Sequence, residues 1–328
     1  MNKIMREIDF MDLGGFRAGH AQDYQAGTGC TVFLFDGCAP AGVDIRGGGP
    51  ASRETPLLNP LMDAKGLHGL LLSGGSAFGL DASGGVMRYL EERGVGVAVG
   101  GVRVPLVCQS CIFDLAIGRS EIRPDGAMAY RACENAGCQP LANGCVGAGT
   151  GATVGKYRGS AYGMKSGIGT YAVQLEQLKV GAVVVVNALG DIFDPDTGVQ
   201  IAGMRTEDGT GLRSSEAEMW ADGEKMASLP AGNTTIGAVF TNGALTKAEL
   251  NKVASMAHNG YARTIRPVHT TADGDSVYAL SVGGVPAELN LVGTLAAHVM
   301  GKAVVRAAAS ATAMFGLPCA ADLGNLAK

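Results

Sequence analysis

The sequence predicts a layered α/β fold, and three observations support this prediction. Short apolar segments bounded by glycine alternate with helical segments rich in Ala and Gly, as in sheets covered by helices. Hydrophobic residues make up 47% of the chain, and 51 glycines accompany only 12 prolines, which indicates a buried core with tight turns rather than disorder. Aromatic residues make up only 5%, so we expect a core of Ala, Val, Leu and Ile. The length of 328 residues fits one large domain or two ordinary ones.

The individual elements follow from local patterns in chain order. Apolar runs predict strands at residues 31–35, 41–46, 68–73, 94–99, 165–173, 180–187, 235–241 and 276–282. Helices are predicted at residues 76–93, 124–137, 246–259 and 290–315. Ser76 is the expected N-cap of the first helix, and Thr246 with Glu249 matches a capping box at the start of the third. Residues 188–232 are polar and acidic, and they are predicted to form a loop with a short helix.

Charge and composition exclude several classes of partner. The net charge of −4 gives no basic surface for nucleic acid. Residues 1–6 lack the apolar core of a secretory signal, and the aliphatic run 180–186 is too short to cross a bilayer, so we expect a cytoplasmic protein without membrane partners. Cys108 and Cys111 form a CxxC motif, but no second pair accompanies it, so we expect reduced thiols rather than a zinc site.

Common catalytic motifs are absent from the sequence. The glycine-rich run 144–156 resembles a phosphate-binding loop, but Thr150 stands where the first glycine is required and Tyr157 follows Lys156 instead of Ser or Thr. No serine lies in a GxSxG motif, so a Ser/His/Asp triad has little support.

A different kind of nucleophile is suggested by residues 231–237. A loop ending in Gly232 and Asn233 leads into a β-branched strand whose first residue is Thr234. In a self-cleaving precursor, the Thr234 hydroxyl would attack the Asn233 carbonyl, and the new α-amine would then serve as base for the same hydroxyl. From these residues alone, a solvent-exposed turn before a strand is the simpler interpretation.

Four further residues could complete such a site. Asp273 and Asp275 stand two residues apart, so in an extended segment they would share one face and couple their titrations; an Asp-Gly hairpin turn is the alternative. Asn187 ends an apolar strand and is either an oxyanion donor or a cap for the following loop. Lys156 follows the glycine-rich run and is either a positive charge beside the nucleophile or a surface lysine.

Several motifs in the same order resemble a known family. This family comprises the self-processing L-aminopeptidase/D-esterases and β-peptidyl aminopeptidases, together with the nylon-oligomer hydrolases. The resemblance runs nearly end to end and is carried by GGFRAGH (14–20), GTGCT (27–31), VDIRGG (43–48), LSGGSAFGLD (72–81), VGAGTGA (146–152), VNALG (186–190), GNTTI (232–236) and HTTADGD (269–275).

The resemblance implies a fold and an assembly. The fold would be a four-layer αββα sandwich like that of N-terminal-nucleophile hydrolases, with residues 1–328 as one catalytic domain. Cleavage between Asn233 and Thr234 would leave chain 1–233 and chain 234–328 associated, in oligomers of such pairs.

The resemblance also implies roles for individual residues. Thr234 would be the nucleophile, Asp273 and Asp275 would orient it, Asn187 would be the oxyanion donor, and Lys156 would lie beside the nucleophile. A small peptide or amide is the expected substrate, with no metal or organic cofactor.

Two departures place the chain nearest the nylon-hydrolase branch and leave the substrate open. Thr234 and Asp273 stand where the aminopeptidase branch has serines. Around Phe113, a tyrosine that lies near the substrate in the family is replaced, so aminopeptidase, β-peptidase and internal amidase activities all remain open. An acyltransferase of the ornithine acetyltransferase type and an uncleaved, non-catalytic scaffold are the alternative functions.

Overall fold

The computed structural model describes residues 5–223, 229 and 232–324. The predicted turn residues Pro230 and Ala231 lie outside this part of the chain. The strands are β1 (Arg6–Ile8), β2 (Arg17–Asp23), β3 (Thr28–Ala39), β4 (Ala41–Ile45), β5 (Ala51–Arg53), β6 (Leu67–Ser73), β7 (Val97–Val99), β8 (Val102–Val104), β9 (Val107–Cys111), β10 (Thr153–Val154), β11 (Met164–Lys165), β12 (Ile168–Leu175), β13 (Leu178–Asn187), β14 (Asp191–Phe193), β15 (Gln200–Ala202), β16 (Thr234–Gly243), β17 (Ile265–Arg266) and β18 (Ser276–Val285). The α-helices are α1 (Ser83–Glu91), α2 (Gly126–Glu134), α3 (Ser215–Asp222), α4 (Lys247–Thr264), α5 (Leu289–Ala309) and α6 (Ala320–Gly324).

Two large sheets form the centre of the fold. The first has six strands in the order β1-β12-β13-β16-β18-β4, and the second has five in the order β2-β3-β6-β9-β5. Neighbours are antiparallel except for β16 with β18 and β6 with β9, which run parallel. The central strand β16 therefore has an antiparallel neighbour, β13, on one side and a parallel neighbour, β18, on the other.

The two sheets pack face to face, and helices cover their outer faces. Along β13, Val183 and Val185 point into the core between the sheets, whereas Val184 and Val186 point toward α4 and α5. Both faces are buried, which explains the unbroken apolar run. Helices α1 and α2 cover the second sheet through a separate apolar cluster. The layers are therefore helix, sheet, sheet and helix, and the predicted αββα sandwich is confirmed.

The core between the sheets differs from the aliphatic core that the composition predicts. Phe240 of β16 packs against Phe10, Phe16 and Phe33, with ring centroids 5.3, 4.6 and 5.1 Å away. A third of the nine phenylalanines thus surround a fourth at one place, a concentration that overall composition does not reveal.

Several element boundaries also differ from the predictions. Residues 76–82 form a 3₁₀ helix before α1, and Ser76 has φ 54°, so it makes no side-chain N-cap. The predicted loop 188–232 contains the short strands β14 and β15 as well as α3. The capping box of Thr246 and Glu249 is confirmed, and α4 continues to Thr264.

Helix α5 is shorter than predicted, because it ends at Ala309. Within the described ranges it is the one helix long and apolar enough to cross a membrane, but 67% of its most apolar window is buried inside the protein. It packs on α4, β12 and β13 as the core of the outer layer.

Candidate active site

The topology brings the predicted site residues to one edge of the six-stranded sheet. Thr234 is the first residue of β16 and is 5% exposed. Because β13 runs antiparallel to β16, its last residue, Asn187, pairs directly with Thr234. Because β18 runs parallel to β16, the segment that precedes β18 arrives at the same edge, and Asn233 forms a parallel bridge with Asp273. The simple exposed turn considered from the sequence is therefore wrong, since both Asn233 and Thr234 are buried.

The Asn233 carbonyl group lies between two hydrogen-bond donors. The Thr234 hydroxyl donates to the Asn233 oxygen, and the Gly274 amide donates to the same oxygen at 2.9 Å. A Cβ on Gly274 would lie 2.9 Å from Thr234 Oγ1 and 2.7 Å from the Gly49 oxygen, so glycine permits this close approach. The hydroxyl is thus held against the peptide bond that precedes it, and an amide is already directed at the carbonyl oxygen.

Asn187 and Lys156 form the adjacent side of the site. Lys156 Nζ donates to the backbone oxygen of Asn187 at 3.0 Å and to its Oδ1 at 2.9 Å. Both Lys156 Nζ and Asn187 Nδ2 donate to the Gly232 oxygen, at 3.4 and 3.3 Å. Thr153 fixes the amide orientation by donating its N–H to Asn187 Oδ1 at 3.1 Å. In the uncleaved chain, the side-chain amide of Asn187 is therefore occupied by the carbonyl one residue before Asn233.

Lys156 is buried, so the surface interpretation of this residue is wrong. It is 6% exposed and hydrogen bonds to oxygens of Asn187 and Gly232. The pKa of Lys156 is lowered to about 7, mainly by burial. The Asp273 charge opposes this shift, and nearby Lys165 contributes to it. A lysine with this pKa exchanges a proton near neutral pH.

The two aspartates hold the backbone around Thr234. Asp275 Oδ1 accepts from the Thr235 amide at 2.7 Å, and its Oδ2 accepts from His269 Nδ1 at 2.8 Å. Asp273 Oδ2 accepts from the backbone amide and the hydroxyl of Thr270. Their contacts therefore fix the residue after Thr234 and the loop before β18, rather than the Thr234 hydroxyl.

Asp273 is buried close to the charge of Asp275. The pKa of Asp273 is raised to about 6, mainly by burial and also by the charge of Asp275, while hydrogen bonds from Thr270 and Leu189 oppose the shift. Asp273 therefore carries a proton more readily than an ordinary aspartate.

A small cavity of about 80 Å³ opens beside this site. It is lined by Phe113, Ala116, Ile117, Thr153, Lys156, Gly159, Ser160, Gly232 and Asn233. Phe113 covers Gly232 so closely that a Cβ there would lie 2.7 Å from its ring, and Gly232 has φ 93°, a conformation that favours glycine. The structure thus places the predicted substrate-binding residue Phe113 against the chain just before the Asn233–Thr234 bond.

Sequence reasoning missed His269, Thr153 and Thr270. All three contact a predicted site residue, but each contact depends on tertiary geometry that residue spacing does not specify. The one available signal is that His269 and Thr270 open the same HTTADGD segment that contains both aspartates.

Comparisons with known proteins define the class of fold. The solved structure of L-aminopeptidase D-Ala-esterase/amidase from Ochrobactrum anthropi, described as a variant of the Ntn-hydrolase fold, superposes with a TM-score of 0.70 at 18% identity, covering 92% of this chain and 86% of that one. A β-aminopeptidase from Burkholderia sp. superposes with a TM-score of 0.66 at 21% identity, covering 97% and 92%. The fold is therefore that of the N-terminal-nucleophile hydrolases.

Sequence comparison defines the family within this class. The model of peptidase family S58 matches residues 9–319, and the chain belongs to that family. It is 40% identical over 343 residues to an uncharacterised aminopeptidase of Mycobacterium tuberculosis, covering 95% of this chain and 96% of the relative. It is 30% identical over 317 residues to a 6-aminohexanoate-oligomer endohydrolase of Kocuria sp., covering 92% and 86%. The protein is a hydrolase that acts on peptide or other amide bonds.

Proposed function

We propose that this hydrolase activates itself by cleaving the Asn233–Thr234 bond and then uses Thr234 as its nucleophile. The observation that carries this proposal is the contact between the Thr234 hydroxyl and the Asn233 carbonyl oxygen, which also accepts the Gly274 amide at 2.9 Å. A hydroxyl next to the carbonyl and a backbone donor on its oxygen are two requirements of acyl transfer.

Self-cleavage then proceeds in two steps, an acyl shift from nitrogen to oxygen and hydrolysis of the ester. Thr234 Oγ1 attacks the Asn233 carbonyl carbon, the bond from that carbon to the Thr234 nitrogen breaks, and the hydroxyl proton ends on this nitrogen. The Gly274 amide stabilises the negative charge that develops on the Asn233 oxygen. Water hydrolyses the resulting ester, which leaves a carboxylate on Asn233 and a free α-amine and hydroxyl on Thr234.

Cleavage also prepares the site for a substrate. The free α-amine has an ordinary pKa of about 7.7–8.0, so near neutral pH its neutral form accepts the hydroxyl proton. When the Gly232 carbonyl leaves, Asn187 Nδ2 becomes available as the oxyanion donor for the substrate carbonyl, with Lys156 beside it. Asp273 and Asp275 hold the backbone next to Thr234 in place. Phe113 contacts the acyl part of the substrate.

The peptides and oligoamides acted on by family relatives define the substrate class that we propose. Small peptides or related oligoamides would be hydrolysed through an acyl-enzyme on Thr234. The cavity beside Phe113 measures only about 80 Å³ before cleavage, which supports a short acyl group on the substrate.

Intact mass under denaturing conditions tests this proposal. The wild-type protein should give two chains, the smaller beginning at Thr234, whereas Thr234→Ala should remain a single chain. Thr234→Ser, which retains a hydroxyl, should still cleave. A single chain in the wild-type sample after prolonged incubation would overturn self-activation and favour an uncleaved scaffold.

We further propose a single catalytic domain that works in the cytoplasm as an oligomer. Two strands from after residue 234, β16 and β18, lie between strands from before it in one sheet, which supports a single domain. All eight cysteines lie in described segments and are free thiols, as expected in a reducing compartment. The hairpin β7–β8 exposes Val97, Val99, Val102 and Val104 on one face, which supports self-association. Light scattering of the wild type and of Val99→Lys tests the oligomer, since a monomeric wild type would contradict it; fractionation of the native cells tests the compartment.

A further inference from the structure

We propose that His269 is a positioning residue that fixes Asp275 and, through it, the backbone at Thr234; this inference rests on the proposed function of Thr234. His269 lies in the loop between β17 and β18 and is not the nucleophile, a base or an oxyanion donor in the mechanism above. The geometry assigns it a role because it holds the same carboxylate by two separate hydrogen bonds.

The carboxylate of Asp275 is shared between His269 and Thr235. Its Oδ2 accepts from the backbone amide of His269 at 3.1 Å and from the ring Nδ1 at 2.8 Å. Its Oδ1 accepts from the Thr235 amide at 2.7 Å. Because His269 binds one oxygen from two directions, it restricts rotation of the carboxylate and keeps the other oxygen directed at Thr235.

The hydrogen bond from Thr235 to Asp275 also restricts Thr234. The Thr235 nitrogen belongs to the peptide unit that follows Thr234, so fixing this nitrogen limits rotation about the Thr234 Cα–C bond. Thr234 must hold its hydroxyl against the Asn233 carbonyl, and small errors in such geometry are costly for acyl transfer. The hydrogen bonds of Asp275 to Thr235 do not involve the bond that is cleaved, so they can act before and after cleavage.

His269 is itself held by its backbone conformation and by ring packing. Its φ of 57° lies in the left-handed region, which few residues other than Gly adopt, although His adopts it more often than most. Its ring packs against the buried rings of His258 and Tyr261 of α4, with centroids 4.8 and 6.1 Å away. Strained conformations of this kind persist where the surrounding structure enforces them, often at functional sites.

The hydrogen bond to Asp275 identifies the donor atom of the His269 ring. Asp275 Oδ2 is an acceptor, so Nδ1 carries a proton and donates it. Nε2 is buried and has no hydrogen-bond partner among the described residues.

Substitutions that separate the ring donor from the backbone conformation test this role. His269→Asn places an amide nitrogen where Nδ1 lies and tolerates a positive φ, whereas His269→Ala removes the donor. We expect His269→Ala to lower the rate constant of self-cleavage at least tenfold and His269→Asn to recover most of the loss. In the mature enzyme, kcat for an amide substrate should fall with little change in KM. His298→Ala on the outer helix α5 is the matched histidine control and should cleave like the wild type.

A double-mutant cycle shows whether His269 acts through Asp275. If it does, His269→Ala should add less than a threefold effect to Asp275→Asn. Wild-type cleavage by His269→Ala, equal loss in His269→Asn and His269→Ala, or full additivity with Asp275→Asn would each overturn the proposal.

A measurement without catalysis distinguishes failure of this inference from failure of the proposed function. In the uncleaved Thr234→Ala chain, hydrogen exchange at the Thr235 amide should accelerate at least tenfold when His269→Ala is added and much less with His269→Asn. Unchanged exchange would overturn the positioning role even if the wild type cleaves itself. A wild type that does not cleave, combined with the expected exchange, would overturn self-activation alone.

Discussion

Asn187 and Thr234 face each other as paired residues at the end of the antiparallel ladder between β13 and β16. This pairing brings a side-chain amide donor close to Thr234 through the backbone ladder. In the uncleaved chain the Asn187 amide nitrogen donates to Gly232 and Phe113, while Gly274 donates to the Asn233 carbonyl. Self-cleavage and substrate hydrolysis are therefore expected to depend on different donors.

Replacement of Gly274 should block self-cleavage by steric contact. In Gly274→Ala, the new Cβ would lie within 2.9 Å of Thr234 Oγ1, so the hydroxyl must leave the Asn233 carbonyl. We expect the rate constant for chain cleavage, followed by denaturing electrophoresis, to fall at least tenfold. Gly284→Ala, near the other end of β18, adds a Cβ with no atom within 4 Å and should cleave like the wild type. Normal cleavage in Gly274→Ala would show that this contact is not needed.

Loss of the Asn187 side chain should affect substrate turnover more than self-cleavage. Removing one oxyanion donor typically lowers kcat by about 10²–10³, and Asn187→Ala removes the donor assigned to the substrate carbonyl. Self-cleavage should slow by a smaller factor, because Gly274 still serves the Asn233 oxygen. Asn242→Ala, at the far end of β16, is the control. Equal losses in the two reactions would contradict the division between the two donors.

The pKa of Lys156 predicts how stability depends on pH. Its folded pKa of about 7 lies below the ordinary value of 10.5, so between these values the unfolded chain binds more protons than the folded one. The contribution of Lys156 to the free energy of unfolding therefore rises from pH 7 toward 10.5. Urea unfolding of the uncleaved Thr234→Ala chain at pH 7 and 8.5 should show this rise.

Addition of Lys156→Met to that chain should remove a pH-dependent part of about 1–2 kcal/mol over this interval. Lys165, whose pKa burial lowers to about 8, is present in both chains and cancels in the comparison. An identical pH dependence with and without Lys156 would mean that its pKa is not lowered.

Phe113 should set the size of the acyl group that the site accepts. Its ring lies against Gly232 and borders the cavity, so Phe113→Ala enlarges the space before the bond that is cleaved. We expect kcat/KM to shift at least tenfold in favour of larger acyl groups across a series of amides. Phe78→Ala, which removes an exposed ring that does not line the cavity, should leave the ratio unchanged. An unchanged ratio in Phe113→Ala would place the acyl group elsewhere.

The sequence patterns predict a layered α/β fold, whereas the four αββα layers follow only from the resemblance, and the site is predicted only in part. Apolar runs such as 180–187 predict strands directly, because both faces of β13 are buried. The closeness of Thr234, Asn187 and Asp273 depends on which strands are neighbours, which local patterns do not specify. The residues alone left other interpretations open, and the resemblance favoured this one. The contacts of Asp275 with Thr235 and His269 require a left-handed loop residue, and no sequence pattern marked that conformation.

The position of β16 in the middle of its sheet has a mechanical consequence. Residues from 234 onward supply β16 and β18, and these two strands lie between β13 and β4 from the earlier part of the chain. In a protein cut before Thr234, the two pieces would remain joined by the β13–β16 and β18–β4 ladders. They could separate only if the hydrogen bonds of both ladders were broken. Once parted, they would have to find each other again by diffusion. The cut enzyme would therefore depend on kinetic stability, that is, on a slow rate of unfolding. A single unfolding event would be much harder to reverse than in the continuous chain.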